Sequence, residues 1–561
     1  MPDTSTYAVV SVRAGADLQE YINKAKCGTV LKLDHKATFV GSFTLPILNC
    51  DDRHWIILQS DAVAKLPPPS SRVRPEDAQW MPTITSNSNG EPLFSNAERG
   101  PANHYRLIGL QFTNNTWTSS SLIQLGFHEP ASQYMPHHII IDRCYFHSPA
   151  NQAMRRGVAA NGPHLAVINS WLSGFKDSAD SQGVWTFQSP GPILIDNNYI
   201  EAAGEGLAFG GKDPLVPQSD PGSIPTDITI TRNWIKKDLR WRPNWAGYDG
   251  HGKRWKVANG WESKNARRVL FEGNILDTVW AAGQQGWGVT LTARNQGGKC
   301  PWCANYDFTI RYNIIRHLSV GVEIYGADTA QPPYCGNPAT QRVSIHDNVF
   351  QDVSKANWGG FGTLLYNLNN CSPPAKAPDE ILIQHNTAFV DQHLVFWDGA
   401  HFGPEGRWAA RPYGSVAIKN NLGVTLGPAI RGRPVWYRNA NVGFGVDVME
   451  AYAPGKWTFS GNVFSGQSGG ATPATNTKCG KASCWPKSPK ALGLKDYVSC
   501  NGDGRADFVK YDTSGAYPPG SYDPSKCALD ASSPYFNAVS EDRYPGADIQ
   551  KVLEKTAGVD K

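Results

Sequence analysis

The chain has 561 residues, 18% of them charged, with a net charge of +4 at pH 7. So mild a charge leaves no electrostatic footprint for nucleic acid, although it tolerates an acidic polymer as partner. Gly (55), Pro (40) and Trp (19) are plentiful and Met (5) is scarce, which favours many turns over long helices, and no apolar run approaches the roughly 18 residues of a membrane span.

The opening "MPDTSTYAVV" has no basic stretch followed by an apolar one, so no signal peptide is visible. In "GADLQEYINKAKCG", residues 15–28, Leu18, Ile22 and Ala25 keep helical spacing up to Gly28. This predicts a helix that covers the first strand edge, within a cap over residues 1–30.

From residue 31 to about 470 one pattern returns: a β-rich run, then Asn, then two mostly apolar residues. It reads "AVINSWL" (Asn169), "ILIDNNYI" (Asn198), "ITITRNWI" (Asn233), "VLFEGNIL" (Asn274), "FTIRYNII" (Asn313), "VSIHDNVF" (Asn348), "ILIQHNTA" (Asn386), "VAIKNNLG" (Asn421) and "WTFSGNVF" (Asn462). "YRLIGLQF" and "IIIDRCYF" are earlier copies without the Asn. Spacings of about 25 to about 41 residues signal stacked units. Propeller blades would need hairpin turns and leucine-rich units a regular Leu spacing, and neither pattern is present. A strand, an Asn bend and a second strand per coil fit an all-β parallel β-helix, in which Asn side chains hydrogen-bond along the stack and loops of any length leave the coil.

Residues 471–561 lose the repeat to Gly, Pro, Ser and Cys and are expected to form an irregular cap on the other end. Within them Ser499, Asn501, Asp503, Gly504 and Asp507 loosely follow a calcium-loop spacing, against which stands a plain polar turn. Most of the 11 cysteines sit in loop-like company and predict disulfides in an oxidising compartment, hence a secreted or periplasmic protein in mature form. A zinc site of Cys300, Cys303, Cys335 and Cys371 is the rival reading. Cys144, inside a strand-like run, reads as a buried free thiol.

Chemistry gathers at "GWESKN", where Glu262 and Lys264 sit two apart and so share a strand face. In "GVTLTARNQ" and "VGVEIYG", Thr290, Thr292, Arg294, Glu323 and Tyr325 alternate outward while Val289, Leu291, Val322 and Ile324 go in. One coil from Lys264 to Arg294 and another to Tyr325 would make a single outer patch, provided no residue slips. Lys264 as base, Arg294 on a carboxylate and Tyr325 as acid would suit β-elimination of a uronic-acid polymer. Hydrolysis by paired carboxylates is the alternative, with Glu201 and Glu205 from "YIEAAGEGLAFGG" beside Glu262 and Glu323. The same charges could also form a surface salt-bridge ladder worth roughly 0.2–1 kcal/mol per pair, or line a non-catalytic glycan-binding surface. The excursion "KKDLRWRPNWAGYDGHGKRWK" offers Arg240, Trp241, Trp245 and Trp255 to a charged sugar chain, with Trp261 and Trp287 flanking the patch. A monomer acting on a polysaccharide, without nucleic acid or membrane, is the expected setting.

"GADLQEYINKAKCGTVLKLDHKATFVGSFTLP", "NNYIEAAGEGLAFGG", "SKNARRVLFEGN", "LTARNQ" and "ASSPYFNAVSEDRYPGADI" resemble right-handed parallel β-helix proteins of the pectate-lyase-like superfamily, and more narrowly bacterial β-helix proteins of unassigned function. The resemblance implies that fold, and polysaccharide lyases, glycoside hydrolases or adhesins as its bearers. The Lys264 and Arg294 pair resembles the alginate-lyase and chondroitinase-B type, which implies a calcium ion held here by Asn259, Glu262 and Glu323.

Overall fold

The computed structural model describes the chain apart from residues 1–2, 96–100, 117, 150–151, 244, 246, 249–254, 330–335, 371–376, 404, 426, 467–499, 501–521, 534 and 537–542. It forms two compact units, Met1–Asp238 with Gly250–Lys256, and Leu239–Asp249 with Val257–Lys561. In each unit successive coils give one strand to each of three parallel sheets, so each is a right-handed parallel β-helix. The period-two pattern fills the coil interior. Tyr105, Ile139, Leu165, Ile193 and Ile228 stand in one register column of the first unit, and Val269, Phe308, Val343, Ile381 and Val416 in one column of the second; all are buried.

The bends obey one rule. The residue before each ladder position is left-handed: Asn197, Arg232, Tyr312, Asp347, His385 and Asn420 have φ between 49° and 56°, and Gly273 and Gly461 have 67° and 65°. The next residue turns its amide inward. In the first unit Asn198 bonds Asn233 Oδ1 through both its backbone N–H and Nδ2. In the second, Asn274, Asn313, Asn348, Asn386, Asn421 and Asn462 repeat that bond from coil to coil. The amides of Asn313, Asn348, Asn386, Asn421 and Asn462 also donate to a carbonyl of the preceding coil, as Asn348 does to Ile310 (2.9 Å).

One expectation slips by a residue. Asn169 is the left-handed residue (φ 54°), and Ser170 takes the ladder place, accepting from Cys144 N and donating its own N–H to Asn198 Oδ1. Cys144 is the step before it, fully buried and free as expected.

The helix Leu18–Lys24 buries Leu18 and Ile22, and its Gln19 amide pairs both ways with the Thr44 backbone, which satisfies part of the first strand edge. Residues 1–30 hold more than a cap, because the strand Ala8–Val12 pairs with Thr29–Leu33. Most of residues 471–542, where the end cap is expected, lie outside the described residues. Residues 543–561 run back along the flank of the second unit: Gly546 N bonds Asn420 O, Asp548 N bonds Asp347, and Lys555 meets Glu272 at 2.8 Å. They include a helix, Ile549–Lys555, amphipathic through Ile549 and Val552.

Disulfides join Cys27 to Cys50, Cys300 to Cys303, and Cys500 to Cys527. The Cys300–Cys303 bond consumes two of the four thiolates of the zinc reading. Cys335, Cys371 and the calcium-like loop (Ser499, Asn501, Asp503, Gly504, Asp507) lie outside the described residues. No helix is long and apolar enough to cross a membrane among the described residues.

Asn348→Ala would orphan a buried N–H and several carbonyl groups at once, each costing roughly 1–3 kcal/mol. We expect a loss of about 2–4 kcal/mol in denaturant unfolding; a loss below about 1 kcal/mol would mean that the ladder follows from the stacking and does not hold it.

Candidate functional site

In the second unit one sheet carries β1 (Trp261–Ser263), β2 (Trp287–Asn295), β3 (Val320–Thr329), β4 (Thr363–Leu368), β5 (His393–Asp398) and β6 (Ile430–Tyr437). Register alone assembles an outward column: Glu262 lies opposite Thr290, Thr290 opposite Glu323, and Glu323 opposite Tyr366. The next column outward holds Thr292, Tyr325, Leu368 and Asp398.

Glu262 and Glu323 are each only 4% exposed although they face outward. Lys264 Nζ lies 2.8 Å from Glu262 Oε2. Among the described residues no cation pairs with Glu323 in this way. Burial, and then the neighbouring Glu262 charge, push its carboxyl up to about 8, while a hydrogen bond from Thr290 only partly opposes them. Glu323 is therefore largely protonated at neutral pH beside a lysine-paired carboxylate, which gives two carboxyls in different states. Burial and Asp328 raise the Tyr325 hydroxyl to about 12, and it bonds Asn370 Nδ2.

Arg294 departs from the expected column. Gly326 is an extra residue in β3: Thr292 pairs with Tyr325 but Ala293 pairs with Ala327. The bulge carries Arg294 opposite Asp328, which its guanidinium meets at 3.1 Å. Arg294 stays on the coil next to Lys264, its N–H bonding the Lys264 carbonyl (2.8 Å), while Tyr325 falls opposite Thr292. Asn259 donates its amide to Gln284 (2.6 Å). Trp261 cannot flank a groove. It is fully buried and stacked on Phe271 at 4.8 Å, because strand alternation turns residue 261 inward when Glu262 faces out. Trp287 does line an opening.

That opening is a cavity of about 760 Å³ lined by Trp287, Phe361, Tyr366, Asp398, Trp408 and Arg433, among others. Tyr366 and Leu368 in its wall are the register partners of Glu323 and Tyr325, so the cavity adjoins the carboxyl column. Tyr366 donates its hydroxyl to Asp398, which also pairs with Arg433. Trp287 and Phe361 stack at 5.9 Å and Tyr366 and Phe396 at 5.3 Å, giving flat apolar walls beside polar groups. Sequence reading missed Tyr366, Asp398 and Arg433. Their segments carry no charge motif, and the one available signal was continuation of the coil count past Glu323.

The first unit holds Glu201, Glu205 and Trp255, and the second holds Arg240, Trp241 and Trp245. Glu205 is buried and accepts from Gln182 Nε2 (2.8 Å), and Gln182 in turn accepts from Arg156 (2.7 Å), all three in one register column. Glu201 is not its catalytic companion. It lies on another sheet across the bend, where it accepts from Tyr199 and from Gly174 N, and burial raises its carboxyl. The bend between them is held from inside by Lys237, whose ammonium donates to the carbonyls of Ala202, Ala203 and Gly204. In the excursion Trp241 and Trp255 are buried, with Lys176 over the Trp255 ring at 5.6 Å; Trp245 is partly buried and Arg240 exposed.

No family model and no curated protein matches this chain. Among solved structures, it is similar to the catalytic unit of a thermostable GH87 α-1,3-glucanase from Streptomyces thermodiastaticus (13% identity over 84% of this chain and 70% of that one, TM-score 0.45). It is similar also to the PL6-family alginate lyase AlyGC (13%, 84% and 52%, 0.44) and to pectate lyase Pel9A (11%, 96% and 93%, 0.34). The chain spans about half the length of that alginate lyase. These likenesses are likenesses of fold.

Glu323 makes stability depend on pH. The folded state keeps its proton up to about pH 8, whereas the ordinary carboxyl releases it near 4.5. Its contribution is full below about 4.5 and is lost as pH rises through 8. Unfolding midpoints measured from pH 5 to 9 should fall with pH in the native chain, and Glu323→Gln should flatten that fall.

Proposed function

We propose that the protein is a carbohydrate-active enzyme that cleaves a polysaccharide by hydrolysis at the Glu262–Glu323 column, with the sugar chain held in the adjoining aromatic cavity. The observation that carries this is the split between the two carboxyls: Glu323 is held protonated toward pH 8 and Glu262 is paired with Lys264. Glycoside hydrolysis asks for one carboxylic acid and one carboxylate. Glu323 would protonate the departing glycosidic oxygen and Glu262 would draw a proton from the attacking water. Their backbones are two inter-strand steps apart, about 9.6 Å, near the separation of about 6.5–9.5 Å that leaves room for a water and inverts the anomeric centre. Trp287, Phe361 and Tyr366 would stack on sugar rings. Glucanase, alginate lyase and pectate lyase are names carried by structural neighbours, but the chemistry argued here comes from the site.

The second reading is β-elimination, favoured by the hydrogen bond that sets Arg294 on the coil next to Lys264. Against it, each cation is already engaged by a carboxylate, Lys264 by Glu262 at 2.8 Å and Arg294 by Asp328 at 3.1 Å. A calcium ion held by Asn259, Glu262 and Glu323 would have to share Glu262 with the Lys264 ammonium.

Incubation with neutral and uronic-acid polysaccharides should release new reducing ends without the ultraviolet absorbance of an unsaturated uronate. Glu323→Gln and Glu262→Gln should each lower the rate by about 10²-fold or more. Rising absorbance that is lost in Lys264→Ala would establish elimination instead, and the absence of product from every polymer would point to a glycan-binding protein.

A further inference from the structure

Four histidines, His104, His137, His138 and His164, crowd one corner of the first unit, where the strands that carry Tyr105, Ile139 and Leu165 begin. His104 and His138 are the second residues of the strands Asn103–Ile108 and His137–Asp142, whose first residues pair with each other. Both are left-handed (φ 58° and 52°), which turns the two imidazoles the same way, and they stack at 4.6 Å. His164 stacks on His138 from the next coil at 4.2 Å. Asp52 reaches the same corner from the loop that the Cys27–Cys50 disulfide ties down.

The hydrogen positions at His104 are fixed by its neighbours. Asn103 gives its Nδ2 to the carbonyls of Leu48 (2.9 Å) and Pro101 (3.1 Å), so its oxygen must face His104 Nδ1 at 2.7 Å. Nδ1 therefore carries the hydrogen, and in the neutral ring Nε2 presents a lone pair. That lone pair faces Asp52 Oδ1 at 3.2 Å. Two acceptors face each other, and only a cation reconciles them. The separation of 3.2 Å is close to the chord of about 3.3–3.4 Å between two ligands at about 2.0–2.1 Å from one tetrahedral ion. One ligand atom each from Asp52, His104 and His138 lies within 4.8 Å of the others. At His138 the Nδ1 is engaged by His137 Nδ1 (2.7 Å), which leaves Nε2. A ring nitrogen tied to a neighbouring oxygen or imidazole is the arrangement that orients metal-ligating histidines.

We infer that Asp52, His104 and His138 bind a divalent transition-metal ion of the zinc class. Two imidazoles and a carboxylate suit such an ion and supply too few oxygens for calcium. The fourth position is left to water, since the Asp52 side chain is 84% exposed. The ion would tie the disulfide-held loop to two successive coils, so that metal binding would also stabilise the fold. The rival cation is a proton: a His104 imidazolium paired with Asp52 would satisfy the same contact without metal.

The full-length chain, stripped with chelator, would be dialysed against Zn2+ and assayed for bound metal and thermal midpoint, with Co2+ as a spectroscopic substitute. We expect one ion lost in Asp52→Asn and in His138→Gln, each with at least ten-fold weaker binding, and a Zn2+-dependent rise in midpoint of several degrees that both variants lack. His35→Gln, in the separate Asp34–His35–Asp61 group, should leave that ion in place. Zinc binding and midpoint unchanged by Asp52→Asn and His138→Gln, or no zinc retained by the native chain, would overturn the site and leave the protonated His104–Asp52 pair. Asp52 is an exposed loop residue, so its substitution tests the site without threatening the coil.

Discussion

Register is the constraint on which everything else depends. A coil of this kind can add loops of any length, but its strands must return to within about 4.8 Å of their neighbours, residue opposite residue. The interior Asn ladder enforces that return. Each Asn bonds the next in line and the coil before, so a slipped strand would strand several buried polar groups at once. With the bends fixed, the sequence position of an outward side chain determines which outward side chains it meets on the coils either side.

The same constraint makes chemistry. Where stacked charges are exposed, opposite signs alternate and little follows: Asp307 and Arg342 pair across neighbouring coils with both side chains more than 40% exposed. Where they are buried, stacking is costly and shifts protons. Glu262 and Glu323 are two coils apart with only Thr290 between them, and a single lysine serves the pair. Glu262 stands against Lys264, and Glu323 takes a proton. The acid–base site proposed above requires such a mismatch. The aromatic cavity beside Glu323 gives the mismatch something to act on.

Much of this was legible in the residues. The Asn repeat marks the coils, strand alternation places Glu262, Thr290 and Glu323 outward, and Cys144 reads as a buried thiol. Three kinds of feature escaped. A doubled polar bend hid the ladder place, since "NS" at 169–170 puts Asn at the left-handed corner and Ser inside. The register sets Thr290 opposite Glu262 and Tyr325 opposite Thr292, so the column counted from Lys264 through Arg294 to Tyr325 is two residues out, and the Gly326 bulge then carries Arg294 on to Asp328, because counting residues between motifs does not give register. Tyr366, Asp398 and Arg433 join the site from coils whose own segments carry no motif, so only the three-dimensional stack brings them in. Trp261 failed for a simpler reason: a residue beside an outward Glu on a strand must face inward.

The most direct test is a carboxyl-carbon NMR titration of glutamate-labelled protein, with Glu323→Gln as the assignment. One resonance should titrate near pH 8 and vanish in the variant. If every glutamate carboxyl instead titrates below about pH 5, the buried column holds no proton at neutral pH, and the acid–base division between Glu262 and Glu323 is wrong.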